Sequence, residues 1–188
     1  MIHSQRRGNV TIRINHTATL SLLLCSLAGA QSTDKTPPPS GVTAGIVEAV
    51  IGNGDLLPAR FAKILALPSD KAASTKSALQ TVSNYVDELR AKDSSIGEAG
   101  CIQALITLKP SIVAARGSSG ALAADADETG EFTLRGLLNQ TYTVIAIGRF
   151  GMNAALWLED LAPSKQADRL KLVRPIISCY DPNSYFKM

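Results

Sequence analysis

The sequence predicts a mainly-β sandwich interrupted by a pair of helices. Two observations carry this prediction. Short stretches of alternating or continuous apolar character, bounded by Gly, Asn, Asp and Pro, recur before residue 68 and again after residue 130. Between them, apolar residues return at three- and four-residue intervals, the period of a helix face.

In chain order, Ile46 to Ile51 and Arg60 to Leu67 read as a first strand pair, separated by the turn cluster Gly52-Asn53-Gly54-Asp55 and by Pro58. Leu79, Val82, Val86 and Leu89, with Tyr85 beside them, then place an amphipathic helix over about Lys71 to Lys92. Ser95 followed by Glu98 has the form of a capping box, and Cys101, Leu105 and Leu108 share one face of a second helix. Pro110 is expected to kink or end that helix, because it lacks an N–H and its ring collides with the preceding turn. The insertion, about residues 69–117, has two readings: a lid over one sheet face, or a helical surface for a partner.

The stretch from Asp125 to Ile147 reads as an acidic turn, a strand, a second turn and another strand. In Glu131 to Leu137, Phe132 and Leu134 alternate with Glu131, Thr133 and Arg135, which gives one apolar and one solvated face. In Thr141 to Ile147 every position is β-branched, aromatic or Ala, as suits a central strand covered on both sides. The two are expected to fold back on each other as a hairpin. Ala154 to Leu161 and Arg169 to Ile177 complete a set of six strands.

Asp125, Asp127, Gly130, Phe132, Gly136, Leu137, Tyr142 and Val144 follow the run of an acidic turn, an aromatic residue, Gly-Leu and a Tyr-containing strand. This stretch resembles the carboxypeptidase regulatory-like domain, and the resemblance implies a prealbumin-like (Ig-like) β-sandwich. Where that family has Pro-Gly, this chain has Leu138-Asn139-Gln140, so Asn139 is expected to take the place of the turn glycine. Modules of the type sit beside catalytic or transport domains without doing chemistry. The resemblance therefore implies a non-enzymatic accessory or protein-interaction module, with no cofactor.

Residues 1–30 carry Arg6, Arg7 and Arg13, no acid, an apolar run from Ala18 to Ala28 and the small-residue site Ala28-Gly29-Ala30. They read as a secretory signal cleaved near Ala30, with an apolar run too short to span a bilayer. Cys25 after Leu22-Leu23-Leu24 fits a lipoprotein anchor poorly, and the surroundings of Arg6-Arg7 fit twin-arginine export poorly. A Pro-rich linker over 31–41, with Pro37-Pro38-Pro39, leads to one domain over 42–180 and a short tail over 181–188. The expected compartment is secreted or periplasmic, without a transmembrane segment after the leader.

Removing the three leader arginines from 19 basic residues leaves sixteen against 16 acidic ones, so the exported part is formally neutral. A nucleic-acid partner loses its electrostatic support. Both histidines, His3 and His16, leave with the leader, which removes Ser-His and Cys-His nucleophile pairs and His-based zinc sites. Cys101 and Cys179 remain as an even pair, either bridged or as two buried thiols. A bridge closing so long a loop is worth about 4 to 5 kcal/mol in the loop-entropy description.

Three chemistries bear on function. Asp125, Asp127 and Thr129 alternate as in the opening of a calcium loop, but Gly136 stands where the bidentate acid belongs, so a hairpin turn accounts better for the run. Glu159 and Asp160 are adjacent on a strand, face opposite sides and cannot flank one glycosidic bond. Trp157 and Glu159 lie on the opposite side from Leu156 and Leu158, which makes the sole Trp a candidate ligand contact with Glu159 beside it, or else a packing residue beneath the helices. Tyr180, Tyr185 and Phe186 form a second aromatic group in a tail expected to be loosely ordered. The leading expectation is an interaction module for an unknown cell-envelope protein; the competing one is a carbohydrate-binding module that uses Trp157 on a glycan.

Overall fold

The computed structural model describes residues 41–166 and 168–188. The stretches expected to be a secretory signal and a linker, up to residue 40, lie outside the described residues. The described residues form a mainly-β, two-sheet sandwich with an inserted helical pair. Its elements are β1 (Gly41–Val50), β2 (Leu56–Pro58), β3 (Arg60–Pro68), α1 (Ser69–Lys92), α2 (Ser94–Ala115), β4 (Leu122–Asp125), β5 (Glu131–Leu137), β6 (Tyr142–Phe150), β7 (Asn153–Leu161), β8 (Leu170–Leu172) and β9 (Pro175–Tyr180). One sheet runs β2-β1-β5, with β8 parallel to β1; the other runs β4-β3-β6-β7-β9.

The side-chain period of two builds two apolar layers from one sheet. From the inner face of the five-stranded sheet, Ile64, Ala66, Val144, Ala146, Ala155 and Trp157 meet Val47, Phe132, Leu134 and Leu172 of the four-stranded sheet. From its outer face, the alternate residues Leu65, Leu67, Ile145, Ile147 and Leu156 meet Leu79, Val86, Leu105, Leu108 and Ile112 of the helices. The helical pair is thus a lid on the five-stranded sheet. β6 lies at the centre of that sheet with both faces covered, as its composition predicts.

The pairing departs from expectation at three places. β5 and β6 do not form a hairpin: β5 pairs with β1, β6 pairs with β3 and β7, and the chain crosses between sheets at Leu138-Asn139-Gln140. β5 keeps a solvated outer face, whereas β6 has helices on its outer face. Likewise β1 and β3 are not a pair. β1 turns back on the short β2, and β3 enters the other sheet. The stretch expected as one strand from Arg169 to Ile177 divides before Pro175 into β8 and β9, one in each sheet. With β2 and β4 added, nine strands stand among the described residues in place of the expected six. A tight hairpin does form between β6 and β7, turning at Gly151-Met152.

The crossover is held by side chains. The Tyr142 hydroxyl accepts from Leu138 N and from Gln140 Nε2, both at 3.1 Å, and Gln166 Nε2 donates to the carbonyls of Leu138 (2.9 Å) and Gln140 (3.0 Å). Asn139 stands in this crossover without a positive φ, which falls earlier, on Gly136 (φ 84°). The helix boundaries shift in a similar way. Asp93, not Ser95, caps α2, its Oδ1 accepting from Ser95 N at 2.8 Å and Ile96 N at 3.2 Å. α2 runs through Pro110 to Ala115 instead of ending there.

Candidate functional site

Cys101 on α2 and Cys179 on β9 are joined in a disulfide, with Cα atoms 5.7 Å apart. It is buried under the helical layer. Beside it, Arg90 donates to Cys101 Sγ (3.2 Å), to Glu98 Oε1 (2.9 Å) and to the carbonyl of Ser178. Glu98 Oε2 accepts from Tyr180 N at 2.7 Å, and Ser83 Oγ donates to the carbonyl of Ile176 at 2.7 Å. Residues 176, 178 and 180 are the alternate positions whose backbone groups point away from β7, so helix side chains satisfy an edge that would otherwise await another strand.

Trp157 is 0% exposed. It lies neither at a ligand surface nor under the helices, but between the two sheets, edge-on to Phe150 with ring centroids 6.0 Å apart. Its Nε1 donates to the carbonyl of Glu48 at 2.9 Å across the sandwich. The alternation that sets Trp157 opposite Leu156 holds, yet the side it faces is the inter-sheet core. In this conformation Trp157 offers no ring to a ligand. Glu159 is exposed, and Asp160, on the other face, binds Lys76 Nζ (2.5 Å) and Thr143 Oγ1 (3.0 Å). The hydrogen bond from Lys76, ahead of that from Thr143, holds the Asp160 carboxyl below the usual carboxylate range.

The acidic run is occupied by protein donors. Asp127 Oδ1 accepts from Thr129 Oγ1 (2.7 Å), Thr129 N (2.8 Å) and Glu131 N (3.0 Å), and the Thr129 hydroxyl leads in lowering its pKa. Asp125 ends β4 and pairs with Lys63 (2.8 Å) and Arg116. Burial raises the Asp125 pKa, and these two cations outweigh it. The run is a turn and an ion-pair anchor, and the described residues hold no cluster of three or more His, Cys, Asp or Glu with metal-binding geometry.

Two exposed features remain. Ile96, Ala99, Gln103, Ile106, Pro110 and Val113 recur at three- and four-residue intervals along the outer face of α2, all exposed. No exposed residue of α2 carries a charge, whereas α1 exposes Asp70, Lys71, Lys76, Asp87, Glu88 and Lys92. The sequence holds this stripe in plain view, but an apolar residue between two other apolar residues does not reveal which face is covered. The second feature is the C-terminal segment, which is ordered contrary to expectation. Asp181 is buried, and its carboxylate accepts from Tyr185 N (2.8 Å), Phe186 N (3.0 Å) and Arg149. Phe186 closes the helical layer with Lys109 Nζ 5.5 Å from its ring centre.

Fold and surface together define a disulfide-tied, two-sheet sandwich under a helical layer. No family model matches the chain, and no curated protein matches it. Among solved structures it is similar to a candidate carbohydrate-binding protein of Pseudomonas aeruginosa, at 13% identity and TM-score 0.41, covering 74% of this chain and 91% of that one. It is also similar to the full-length major pilin RrgB of Streptococcus pneumoniae (13% identity, TM-score 0.29, 72% of this chain and 30% of that one). A second structure of the RrgB pilus backbone gives 14% identity and TM-score 0.30, with 71% and 40% covered. The chain spans less than half of either pilin structure.

Proposed function

We propose that the chain is a non-enzymatic, exported accessory module of the carboxypeptidase regulatory-like type, and that it binds a protein of the cell envelope through the outer face of α2. The observation that carries this reading is the uncharged stripe from Ile96 to Val113 beside a heavily charged α1. An amphipathic helix that covers a core normally turns charge to water, and a second apolar seam at heptad-like spacing suits a facing helix. The disulfide supports an oxidising compartment. The lack of histidine after His16 supports a role without nucleophilic or zinc chemistry. No described helix is long and apolar enough to cross a membrane.

The test places a photo-crosslinking residue at Ile106, at Val113 and, for comparison, at Thr133 on the solvated face of β5, in cells that produce the full chain. One adduct of defined mass from positions 106 and 113, lost in the Ile96→Lys background and absent from position 133, is the expected outcome. Equal adducts from all three positions would remove the reading.

A further inference from the structure

We infer that the outer face of α2 pairs with the same face of a second copy of this chain, the two helices running antiparallel about a two-fold axis between Gln103 and Ile106. This rests on the reading of that face as a protein-binding surface, and it names the partner. The exposed residues Ile96, Ala99, Gln103, Ile106, Pro110 and Val113 follow one another at steps of three, four, three, four and three residues. That order is the same from either end. A half-turn about the middle of the stripe therefore sets Ile96 of one copy opposite Val113 of the other, Ala99 opposite Pro110, and Gln103 opposite Ile106. The apolar ends of the seam meet apolar ends, and its one polar member lies beside the axis in both copies.

Two features favour a copy over an unlike protein. The first is charge: in a self-complementary interface a side chain near the axis meets its own likeness, so an ionised group there would repel itself. No exposed residue of α2 is charged. Its two ionisable side chains are engaged within the chain, Glu98 by Arg90 Nε (2.9 Å) and Tyr180 N (2.7 Å), Lys109 by the Lys187 carbonyl and the Phe186 ring. The second feature is a hydrogen bond that the face lacks. Pro110 stands inside α2 without an N–H, which deprives the Ile106 carbonyl of its i+4 donor on the stripe side of the helix. Among the described residues the Gln103 amide donates only to the Thr107 hydroxyl, at 3.5 Å, so its donor capacity is largely unused. Antiparallel pairing brings the Gln103 amide of each copy to Ile106 of the other, matching two spare donors with two spare acceptors. Parallel pairing would set Gln103 beside Gln103 and leave both carbonyls bare. A polar contact in the middle of an apolar seam thus fixes register and direction.

The test combines sedimentation velocity of the purified full chain, over a range of concentrations, with cysteine cross-linking. A monomer–dimer equilibrium in the micromolar range is expected, because a seam about 25 Å long buries less area than a permanent dimer does. Ile106→Lys is expected to weaken the dimer by about tenfold or more, since it sets an unpaired charge in the seam of each copy. Its thermal midpoint should stay near that of the parent, because Ile106 is exposed. Gln103→Met keeps the length of the side chain but not the donor, and should weaken the dimer severalfold. Chains carrying Ile96→Cys and chains carrying Val113→Cys, mixed and mildly oxidised, should form a bridged dimer. Either variant alone should form little, since like positions then lie about 25 Å apart. A monomer at every concentration up to the millimolar, a dimer undiminished in Ile106→Lys, or cross-linking as efficient from either variant alone as from the mixture would overturn the inference. A monomeric chain that still gives an adduct with another protein from positions 106 and 113 overturns this inference alone, whereas a monomer without any adduct removes the α2 reading as well.

Discussion

Gly45 shows how one missing side chain sets the inner layer. Phe132 of β5 lies across β1 at this position, and a Cβ on residue 45 would stand 2.2 Å from its ring. Gly45→Ala is therefore expected to lower stability by about 1 to 3 kcal/mol, as overpacking does, with the loss read from denaturant midpoints. Asp181 shows the opposite device, a buried charge with a full set of donors. Burial pushes its carboxyl up, but the Phe186 and Tyr185 amides and the Arg149 guanidinium outweigh this and hold it below the usual carboxylate value of 3.8. A group whose folded pKa is depressed adds stability that is fully present above the unfolded value and is lost as pH falls through the folded one. The native protein should thus lose stability as pH falls below about 3.8, whereas Asp181→Asn, destabilised at neutral pH, should lose less over that range. Urea midpoints measured across the acid limb check both parts.

Elements were legible in the sequence to different degrees, for physical reasons. β5 was read with its observed ends, and β6 as a doubly covered central strand, because periodicity and composition report how many faces of a strand are buried. They do not report which strand lies alongside. The one-sided β5 and the two-sided β6 have different surroundings, but an edge strand can be open beside a covered one, as β4 is beside β3, so the pattern does not assign them to different sheets. The site was less legible still. Alternation set Trp157 opposite Leu156, but both sides of this sheet are apolar layers, so local pattern alone could not say that the indole faces the other sheet. The uncharged stripe of α2 and the knot at Asp181 depend on contacts far apart in sequence, between residues 83–98 and 176–180 or between 149 and 181–186. At this scale the disulfide is the main tie between the helical layer and β9, closing a separation of 78 residues. Cys101→Ser with Cys179→Ser is expected to cost roughly 2 to 5 kcal/mol. The cost should be seen as a lower thermal midpoint and as faster exchange of the Tyr180 amide, which Glu98 holds.

The described residues stack in three layers: a sheet with a solvated outer face, a sheet covered on both faces and a helical lid whose exposed residues along α2 carry no charge. The inner layer of this stack rests on one arrangement, in which the sole Trp is sealed between the sheets. Acrylamide quenching of tryptophan fluorescence reads that arrangement from one residue. The account predicts a native indole almost inaccessible to acrylamide and blue-shifted in emission, becoming fully accessible only on unfolding. Native quenching close to that of the denatured chain would place Trp157 at the surface and contradict the two-layer core.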